Sequence, residues 1–237
     1  MNRPSKRKPD QIRKVEIIPH VNKHAEGSCL VKFGDTHVLC TASVEEKVPP
    51  FLRNKGTGWV TAEYNMLARS THQRNSRDPM KPNGRAIEIT RLIGRALRST
   101  IDLGLLGERQ ITIDCDVIQA DGGTRCAAIT GGYVALAIAV NKLTNQRLVR
   151  ENPLKSKVCA ISCGIFRSEV IADLDYAEDS KCEVDANFIL NEKFNLIEIQ
   201  GTAEVGEMSF EEVAKMFDLA KKAAAEIFEI QKKAINS

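Results

Sequence analysis

A short glycine-rich stretch at 119–125, Gln-Ala-Asp-Gly-Gly-Thr-Arg, carries the residue types that bind phosphate groups. Alternating apolar and polar residues at 111–119 predict a half-buried strand before it, and the apolar run 126–143 predicts a buried helix after it. The two glycines allow a sharp turn and a close approach of the backbone to a ligand. We expect Thr124 to cap the helix, whose unpaired first amides would attract an anion together with Arg125. Taken alone, the stretch is equally compatible with an ordinary strand–helix turn whose arginine is solvated.

A second cation stands at the start of another predicted helix, over about 85–103. Its apolar positions form one face at helical spacing, and they are Ile89, Leu92, Ile93, Ala96, Leu97 and Ile101. Arg85 lies at the N-terminal end, where the helix dipole disfavours a cation, so a phosphate there would neutralise both. Arg91, Arg95 and Arg98 lie on another face, and we expect at least some of them to be simply solvated.

An acidic stretch at 173–187 contains a candidate pair of metal ligands. Asp179 and Asp185 are six residues apart, and this even spacing places both on one side if the segment is extended. Two carboxylates with water and a substrate phosphate suit Mg²⁺, which rarely takes a closed protein cage. Considered alone, the stretch is modestly more typical of a solvated acidic loop.

Two further segments are rich in basic residues. The segment 67–84 has no apolar periodicity and contains Arg69, Arg74 and Arg77, which could grip RNA phosphates or pair with acids of a neighbouring subunit. The N-terminal arm 1–14 carries six basic residues against one acid. We expect this arm to be a solvated tail, with an electrostatic tether for a phosphate backbone as the alternative.

Composition is ordinary for a soluble globular protein, with 43% hydrophobic and 27% charged residues in 237. The start of the chain lacks the apolar region of a signal peptide, and the apolar run 126–140 is expected to be too short to span a bilayer. We therefore expect a cytoplasmic protein without a membrane partner. The seven cysteines include no C-x-x-C pair, so we interpret them as reduced core residues.

The remaining pattern predicts an α+β fold made of two halves, about 10–145 and 157–237, within one domain. Each half begins with strands and ends with a helix, and the polar connector 145–157 separates them. The last helix is predicted from Ser209, which forms a capping box with Glu212. Predicted strands lie at 15–18, 28–33, 37–44, 59–64, 111–119, 158–166, 170–174, 187–190 and 196–200.

The candidate residues together indicate phosphoryl transfer with inorganic phosphate as the nucleophile. Two anions approach each other only where cations and a metal neutralise the developing charge. The sequence shows no Ser/His/Asp or Cys/His arrangement and no G-x-x-x-x-G-K-[ST] loop.

Several longer motifs, in order along the chain, resemble those of the bacterial ribonuclease PH family. They are Ala-Glu-Gly-Ser at 25–28, Val-Leu-Cys-Thr-Ala at 38–42, Gly-Trp-Val-Thr-Ala-Glu-Tyr at 58–64, Arg-Leu-Ile-Gly-Arg at 91–95, the glycine-rich stretch 119–125 and Glu-Asp-Ser at 178–180. The resemblance covers the chain from about residue 10 to its end. It implies a fold like the second domain of ribosomal protein S5, and a homo-hexamer built as a trimer of dimers.

The resemblance also implies an activity: phosphate-dependent 3′-to-5′ trimming of tRNA precursors, and of rRNA, with release of nucleoside diphosphates. The reverse reaction would add nucleotides. By resemblance, Arg85 and the Gly123, Thr124 and Arg125 group bind the attacking phosphate. Asp179 and Asp185 match positions credited with Mg²⁺ binding and acid catalysis, and the Arg69, Arg74 and Arg77 loop matches one linked to ring assembly and RNA contact.

The chain departs from the family pattern at two places. The family's usual Gly-Met-Leu-Pro-Arg is Asn-Met-Leu-Ala-Arg at 65–69, which predicts an altered loop before Arg69, and Ala86 and Ile87 replace a polar pair. Two other interpretations remain: a catalytically silent RNA-binding ring subunit, and a small-molecule phosphotransferase. Retention of both aspartates and both phosphate-binding arginines argues against the first, and the arginine loop and basic arm argue against the second.

Overall fold

The computed structural model describes residues 3–76 and 84–237 and contains two β-sheets. The first has the order β1-β2-β3-β5-β4, with β1 (Val15–Pro19), β2 (Gly27–Phe33), β3 (Thr36–Glu45), β4 (Trp59–Met66) and β5 (Gln110–Gln119). The second has the order β7-β6-β8-β9, with β6 (Val158–Phe166), β7 (Glu169–Ala172), β8 (Val184–Asn191) and β9 (Leu196–Ala203). The helices are α1 (Gly84–Arg98), α2 (Leu103–Leu106), α3 (Thr124–Asn145), α4 (Tyr176–Asp179) and α5 (Phe210–Ile235). The predicted α+β class is confirmed.

Strand β5 forms where the apolar periodicity of the sequence is two, whereas β6 is buried along its whole length. In β5 every second residue from Ile111 to Val117 is buried, and the residues between them are half-buried. Strand β5 pairs antiparallel with β3 and parallel with β4, and the parallel pair is connected through α1 and α2. Each half of the sequence supplies one sheet. The single-domain organisation with a division near 145–157 stays a prediction.

The seven cysteines are buried and free, as predicted. Cys40 and Cys115 face each other across β3 and β5 with their sulfurs 3.9 Å apart, well beyond a disulfide bond. Burial raises the pKa of the Cys126, Cys159 and Cys163 thiols, so these groups remain protonated and unreactive near neutrality.

Helix α3 is the central core element. All residues from Cys126 to Val140 are buried, and the helix packs against strands of both sheets and against α1 and α5. Its 22 residues are long and apolar enough to cross a membrane, so the length argument against a membrane span is wrong. Because 89% of its most apolar 18-residue segment is buried inside the protein, it is instead a core helix.

Helix α1 ends earlier than its apolar pattern predicts, at Arg98 rather than near 103. The hydroxyls of Ser99 and Thr100 donate to the carbonyls of Ala96 and Leu97, which competes with continuation of the helix. Ile101, the last residue of the predicted apolar face, is buried outside the helix and bridges to residue 154.

The arginine face of α1 is only partly solvated. Arg91 is exposed, whereas Arg98 donates to the Val60 carbonyl and stacks on the Trp59 ring at 4.4 Å. Arg95 donates two hydrogen bonds, of 2.9 and 2.6 Å, to the carboxylate of Glu198 in β9. This pair joins a helix of the first half to a strand of the second.

Helix α5 begins with the predicted capping box, since the side chains of Ser209 and Glu212 each accept a hydrogen bond from the other's amide. Inside its buried face, the Gln231 amide donates to the carbonyls of Thr130 and Val158, both at 2.9 Å. These two bonds tie the last helix to α3 and β6.

Residues 3–14 of the basic N-terminal arm do not form a solvated tail, so that expectation is wrong. Only 2% of Arg3 and 8% of Arg13 remain exposed. The sequence could not show this, because the carboxylates that hold these arginines lie more than 100 residues away in the chain.

The packing of α3 generates a test with two neighbouring glycines. An added Cβ at Gly131 would lie 2.5 Å from a methyl carbon of Val31, whereas one at Gly132 would lie 3.3 Å from Ile113. Both alanines gain similar helix propensity, so overpacking should lower the unfolding free energy of Gly131→Ala by about 1–3 kcal/mol relative to Gly132→Ala. Chemical denaturation of both variants measures the difference, and equal stabilities would contradict the close packing of α3 on β2.

Candidate active site

A cavity of about 930 Å³ opens where α1, the start of α3, α4, β8 and β9 meet. The charged and polar side chains that line it include Arg85, Glu88, Arg125, Asp179, Asp185 and Gln200. The structure therefore brings together both predicted phosphate-binding arginines and both predicted metal-binding carboxylates, although they come from four separate parts of the chain.

The glycine turn adopts a conformation that favours glycine. Gly122 has φ 72° and Gly123 has φ 65°. An added Cβ at Gly122 would lie 2.7 Å from the Leu174 carbonyl oxygen, so the turn packs directly against the chain that leads into α4. The glycine at this position permits both the turn and the close contact between the two halves.

The prediction that Thr124 caps α3 is wrong by one residue. Gly123 occupies the N-cap and supplies no side chain, so side-chain capping of the first amides is absent there. Thr124 is the first helical residue, and its hydroxyl lies 2.8 Å from the Tyr64 hydroxyl. Burial raises the pKa of Tyr64 and so keeps the phenol neutral. The hydrogen bond with Thr124 and the charges of Arg85 and Arg125 offset part of this rise. The N-terminus of α3 thus presents backbone donors to an anion.

Arg125 is the second residue of α3 and its side chain is only 15% exposed. Its guanidinium donates to the Gln200 side-chain oxygen at 3.1 Å and lies 3.7 Å from the Glu88 carboxylate. Arg85 is the second residue of α1 and is exposed toward the same cavity. Neither helix has an acidic residue in its first turn, so both cations stand against the local dipole, as predicted for α1.

Asp179 and Asp185 reach the same cavity by a route that differs from the prediction. Asp179 ends the short helix α4 and Asp185 lies in β8, with a turn between them, so the segment is not extended. Burial and then the neighbouring Asp179 raise the pKa of Asp185 to about 6, against the opposing effect of Arg125. Burial likewise raises the pKa of Asp179, although Arg85 and Arg125 act against it.

The carboxylate pair is suited to an open site for a divalent cation, and less to a site in which protein ligands surround the metal. Within 3–76 and 84–237, no three His, Cys, Asp or Glu side chains converge on one metal position. The raised pKa values show that the surrounding arginines do not fully stabilise the two negative charges. A cation would supply that stabilisation, and Mg²⁺ usually takes only one or two carboxylates besides water and phosphate oxygens.

A second cavity of about 560 Å³ adjoins the first, and Arg85 and Asp179 line both. Its wall contains Met66, His72 and Tyr176, and the two rings are 5.9 Å apart between centroids. Tyr176 is 53% exposed. An exposed aromatic ring beside an anion site can stack on a nucleobase.

The sequence reasoning did not identify several residues that shape these cavities. Glu88 lies three residues after Arg85 and so on the same helix side, a spacing that could have indicated it. Gln200, His72 and Tyr176 carry no comparable local signal, because their place at the cavities depends on tertiary packing.

The arginine loop is partly described. Arg69 and Arg74 are exposed, while Arg77 lies outside the described residues. The loop is anchored beside the glycine turn, since the Ala120 amide donates to the Ser70 carbonyl at 2.8 Å. No contact between Arg69 or Arg74 and the candidate phosphate-binding residues is seen in the described chain, so their predicted role in RNA contact or assembly stays a prediction.

Comparison with protein families decides the class. Models of the 3′ exoribonuclease family match twice, domain 1 over residues 11–141 and domain 2 over residues 157–223. The chain belongs to the 3′ exoribonuclease family.

Curated relatives in this family include the ribonucleases PH of three Cereibacter sphaeroides strains. They are 55%, 55% and 56% identical to this chain over 235 residues, which covers 98% of the chain and 99% of each relative. The expected ribonuclease PH resemblance is thereby confirmed. The protein is a phosphate-dependent 3′ exoribonuclease of tRNA processing, that is, a tRNA nucleotidyltransferase.

Solved structures of the exoribonuclease fold agree with the architecture. Rrp46 of rice (Oryza sativa) superposes with a TM-score of 0.80 at 20% identity, covering 98% of this chain and 100% of that one. The Archaeoglobus fulgidus exosome with RNA bound to its active site gives 0.80 at 21% identity, covering 96% and 92%. An archaeal exosome core gives 0.77 at 21% identity, covering 98% and 91%. These confirm the predicted fold.

The raised pKa of Asp185 leads to a prediction for stability. Protonation of this carboxyl favours the folded state, and that stabilisation is complete below about pH 4 and lost as pH rises through about 6. In Asp185→Asn the side chain at this position does not titrate. At pH 8 and without divalent cations, the free energy of unfolding of this variant should therefore be about 1–3 kcal/mol higher than that of the unchanged chain. Urea denaturation from pH 4 to 8 measures this gain, which should fade toward pH 4; a gain independent of pH would contradict the burial of an ionised Asp185.

Proposed function

We propose that the enzyme binds inorganic phosphate between Arg85, Arg125 and the amides of Gly123 and Thr124. The phosphate attacks the last phosphodiester at the 3′ end of tRNA precursors and of rRNA. The observation that carries this proposal is the meeting of two arginines and two partly buried carboxylates at one cavity. The two arginines bind the attacking phosphate, while the two carboxylates bind the metal and supply the proton.

Binding of phosphate would relieve the unfavourable charge of both helix starts. Gly123 and Thr124 at the start of α3 line the second cavity, and Arg125 lines the first, where Gln200 and Glu88 contact its side chain. Arg85 of α1 lines both cavities, so the proposed position of the phosphate is where the two adjoin. An anion in this position receives charge-assisted hydrogen bonds, which are stronger than bonds between neutral groups.

The reaction exchanges one phosphorus–oxygen bond for another. An oxygen of inorganic phosphate bonds to the phosphorus of the terminal nucleotide, and the bond from that phosphorus to the 3′ oxygen of the preceding nucleotide breaks. The terminal nucleotide leaves as a nucleoside 5′-diphosphate, and the shortened RNA takes up a proton on its new 3′ oxygen. The same groups in reverse add nucleotides from diphosphates.

Asp179 and Asp185 would divide two roles, because a carboxylate that holds Mg²⁺ is ionised and cannot donate a proton. Bound Mg²⁺ would neutralise charge on the transferred phosphoryl group. Asp185 is the better source of the proton, because its pKa of about 6 keeps a protonated fraction near neutral pH. Asp179, which Arg85 and Arg125 help to keep ionised, suits the metal.

The second cavity suits the end of the RNA. Tyr176 and His72 offer ring faces next to Arg85 and Asp179, so a terminal base can stack there while its phosphate lies between the two cavities. Stacking accepts any base, because every base has an aromatic face.

We also propose that the enzyme acts in the cytoplasm as a homo-hexamer, a trimer of dimers, with Arg69, Arg74 and Arg77 contributing to assembly or RNA contact. Large apolar side chains remain on the surface of the described chain, among them Phe210 at 89%, Val205 at 69% and Phe51 at 57% exposure. These side chains are available for burial between subunits.

The first test is product analysis on a tRNA with a short 3′ extension, with Mg²⁺ and with or without phosphate. We expect nucleoside diphosphates only when phosphate is present. Monophosphates released without phosphate would indicate hydrolysis, and RNA binding without any product would favour the silent ring subunit. RNA affinity that hardly changes with salt would argue for a small-molecule substrate instead.

The second test removes both acidic groups. Asp179→Asn with Asp185→Asn should reduce turnover by at least about a thousandfold, since both metal binding and proton donation are lost, while RNA still binds. The matched control is Asp114→Asn with Asp116→Asn, another carboxylate pair with burial-raised pKa values, which lies on β5 outside the cavity. Equal activity of the two double variants would contradict the assignment.

A further inference from the structure

The N-terminal arm lies on the segment that leads to Asp179. The Ala172 amide donates to the Pro9 carbonyl at 2.8 Å, which docks the arm against the end of β7. From there the chain runs through Asp173 and Asp175 into α4, whose last residue is Asp179. The contacts of the arm therefore fall within a few residues of a proposed catalytic carboxylate.

Arg3 makes a buried two-pronged ion pair with Glu178, the residue next to Asp179. Its Nε and Nη2 donate to the two carboxylate oxygens, each at 2.7 Å. The same guanidinium donates to the carbonyls of Ala172 and Asp173, both at 3.1 Å. Side-chain exposures are 1% and 0%, so the pair is almost fully removed from water. Burial alone would raise the pKa of Glu178, but Arg3 and Arg7 hold it below its ordinary value.

Arg13 joins this segment to the glycine turn of the first half. Its Nε and Nη2 donate to the two oxygens of Asp173 at 2.9 and 2.7 Å, and its Nη1 donates to the carbonyl of Asp121. The Thr36 hydroxyl donates to the Gly122 carbonyl at 2.6 Å. Asp173 has φ 55°, a conformation that costs free energy for a residue other than glycine, and its contacts with Arg13 hold it there.

Arg7 links the two pairs, because it reaches Asp173 at 3.1 Å, Asp175 at 3.3 Å and Glu178 at 3.1 Å. The three arginines and these three carboxylates thus form one network. Its arginine side chains are at most 9% exposed, so they are not available to an RNA backbone. The exposed basic residues of the arm are instead Lys6, Lys8 and Lys14.

We propose that Arg3, Arg7 and Arg13 act as positioning residues that fix α4, with Asp179, against the Gly122–Gly123 turn at the start of α3. The arm would then serve catalysis because it holds the metal-binding carboxylate at a fixed position relative to the phosphate-binding turn. This inference rests on the proposed function, because it assumes that both parts act on one reacting phosphate. Asp121 reinforces the link, since its carboxylate accepts a hydrogen bond from the Tyr176 amide at 3.2 Å.

The test uses Arg13→Lys and Arg3→Lys in the full chain, because lysine keeps the buried charge but loses the two-pronged geometry. We expect kcat for phosphorolysis to fall about ten- to a hundredfold in each, with KM for RNA within twofold, because a small displacement of reacting groups is that costly. Amide hydrogen exchange over 173–180 should become faster. The matched control, Lys6→Ala with Lys8→Ala and Lys14→Ala, removes exposed charge from the same arm and should leave kcat and this exchange unchanged.

Unchanged kcat in both arginine variants would overturn the proposal. If the lysine control then also bound RNA more weakly, the arm would be an RNA tether. Should a lysine variant fail to fold, the paired replacement Arg3→Met with Glu178→Met removes both charges at once, and the same loss of kcat is expected from it. If the unchanged chain released no nucleoside diphosphates, the proposed function would fail separately. Amide hydrogen exchange over 173–180 would then test the positioning role by itself, since unchanged exchange in Arg13→Lys would overturn it.

Discussion

Burial of helix α3 between the two sheets is the constraint on which the site depends. The helix has no polar face to turn toward water from Cys126 to Val140, and it must therefore be covered by strands of both halves. Once strands of both halves cover the helix, the position of its N-terminus relative to the two sheets is fixed. That position lies at the edge where β8, β9 and α1 also end or begin, so the packing of the core fixes the place where Arg125 and the unpaired amides are presented.

The charges assembled at this edge are unfavourable without a ligand. Arg85 and Arg125 stand at the positive ends of helices, and Asp179 and Asp185 are ionised only against the cost of burial. Opposite charges within the cavity offset each other only in part, because the pKa values of both carboxyls stay raised. A bound phosphate and a divalent cation would each relieve one part of the imbalance. Such conflicts with local preference are expected at functional sites.

Local patterns were sufficient for most of the fold. Alternation identified strands such as β5, and the apolar run at 126–143 identified α3, because each signal is contained within one element. The errors arose where neighbouring groups compete. Thr124 bonds to Tyr64 instead of capping the helix, and the hydroxyls of Ser99 and Thr100 end α1 early. At the site, residue types indicated the four charged groups, but the turn between Asp179 and Asp185 and the cavity-lining Gln200 required the tertiary structure.

The N-terminal arm shows why charge patterns are the least informative part of a sequence. A basic run near a terminus is usually solvated, and the arm met that description. Its arginines are nevertheless buried, because a planar guanidinium can satisfy a carboxylate and several carbonyls at once, as Arg3 does across 175 positions of sequence. Lysine lacks that geometry, and the lysines of the arm remain exposed. Within such a basic run, burial against distant carboxylates is therefore to be expected of arginines more than of lysines, whenever the chain contains acidic residues without another partner.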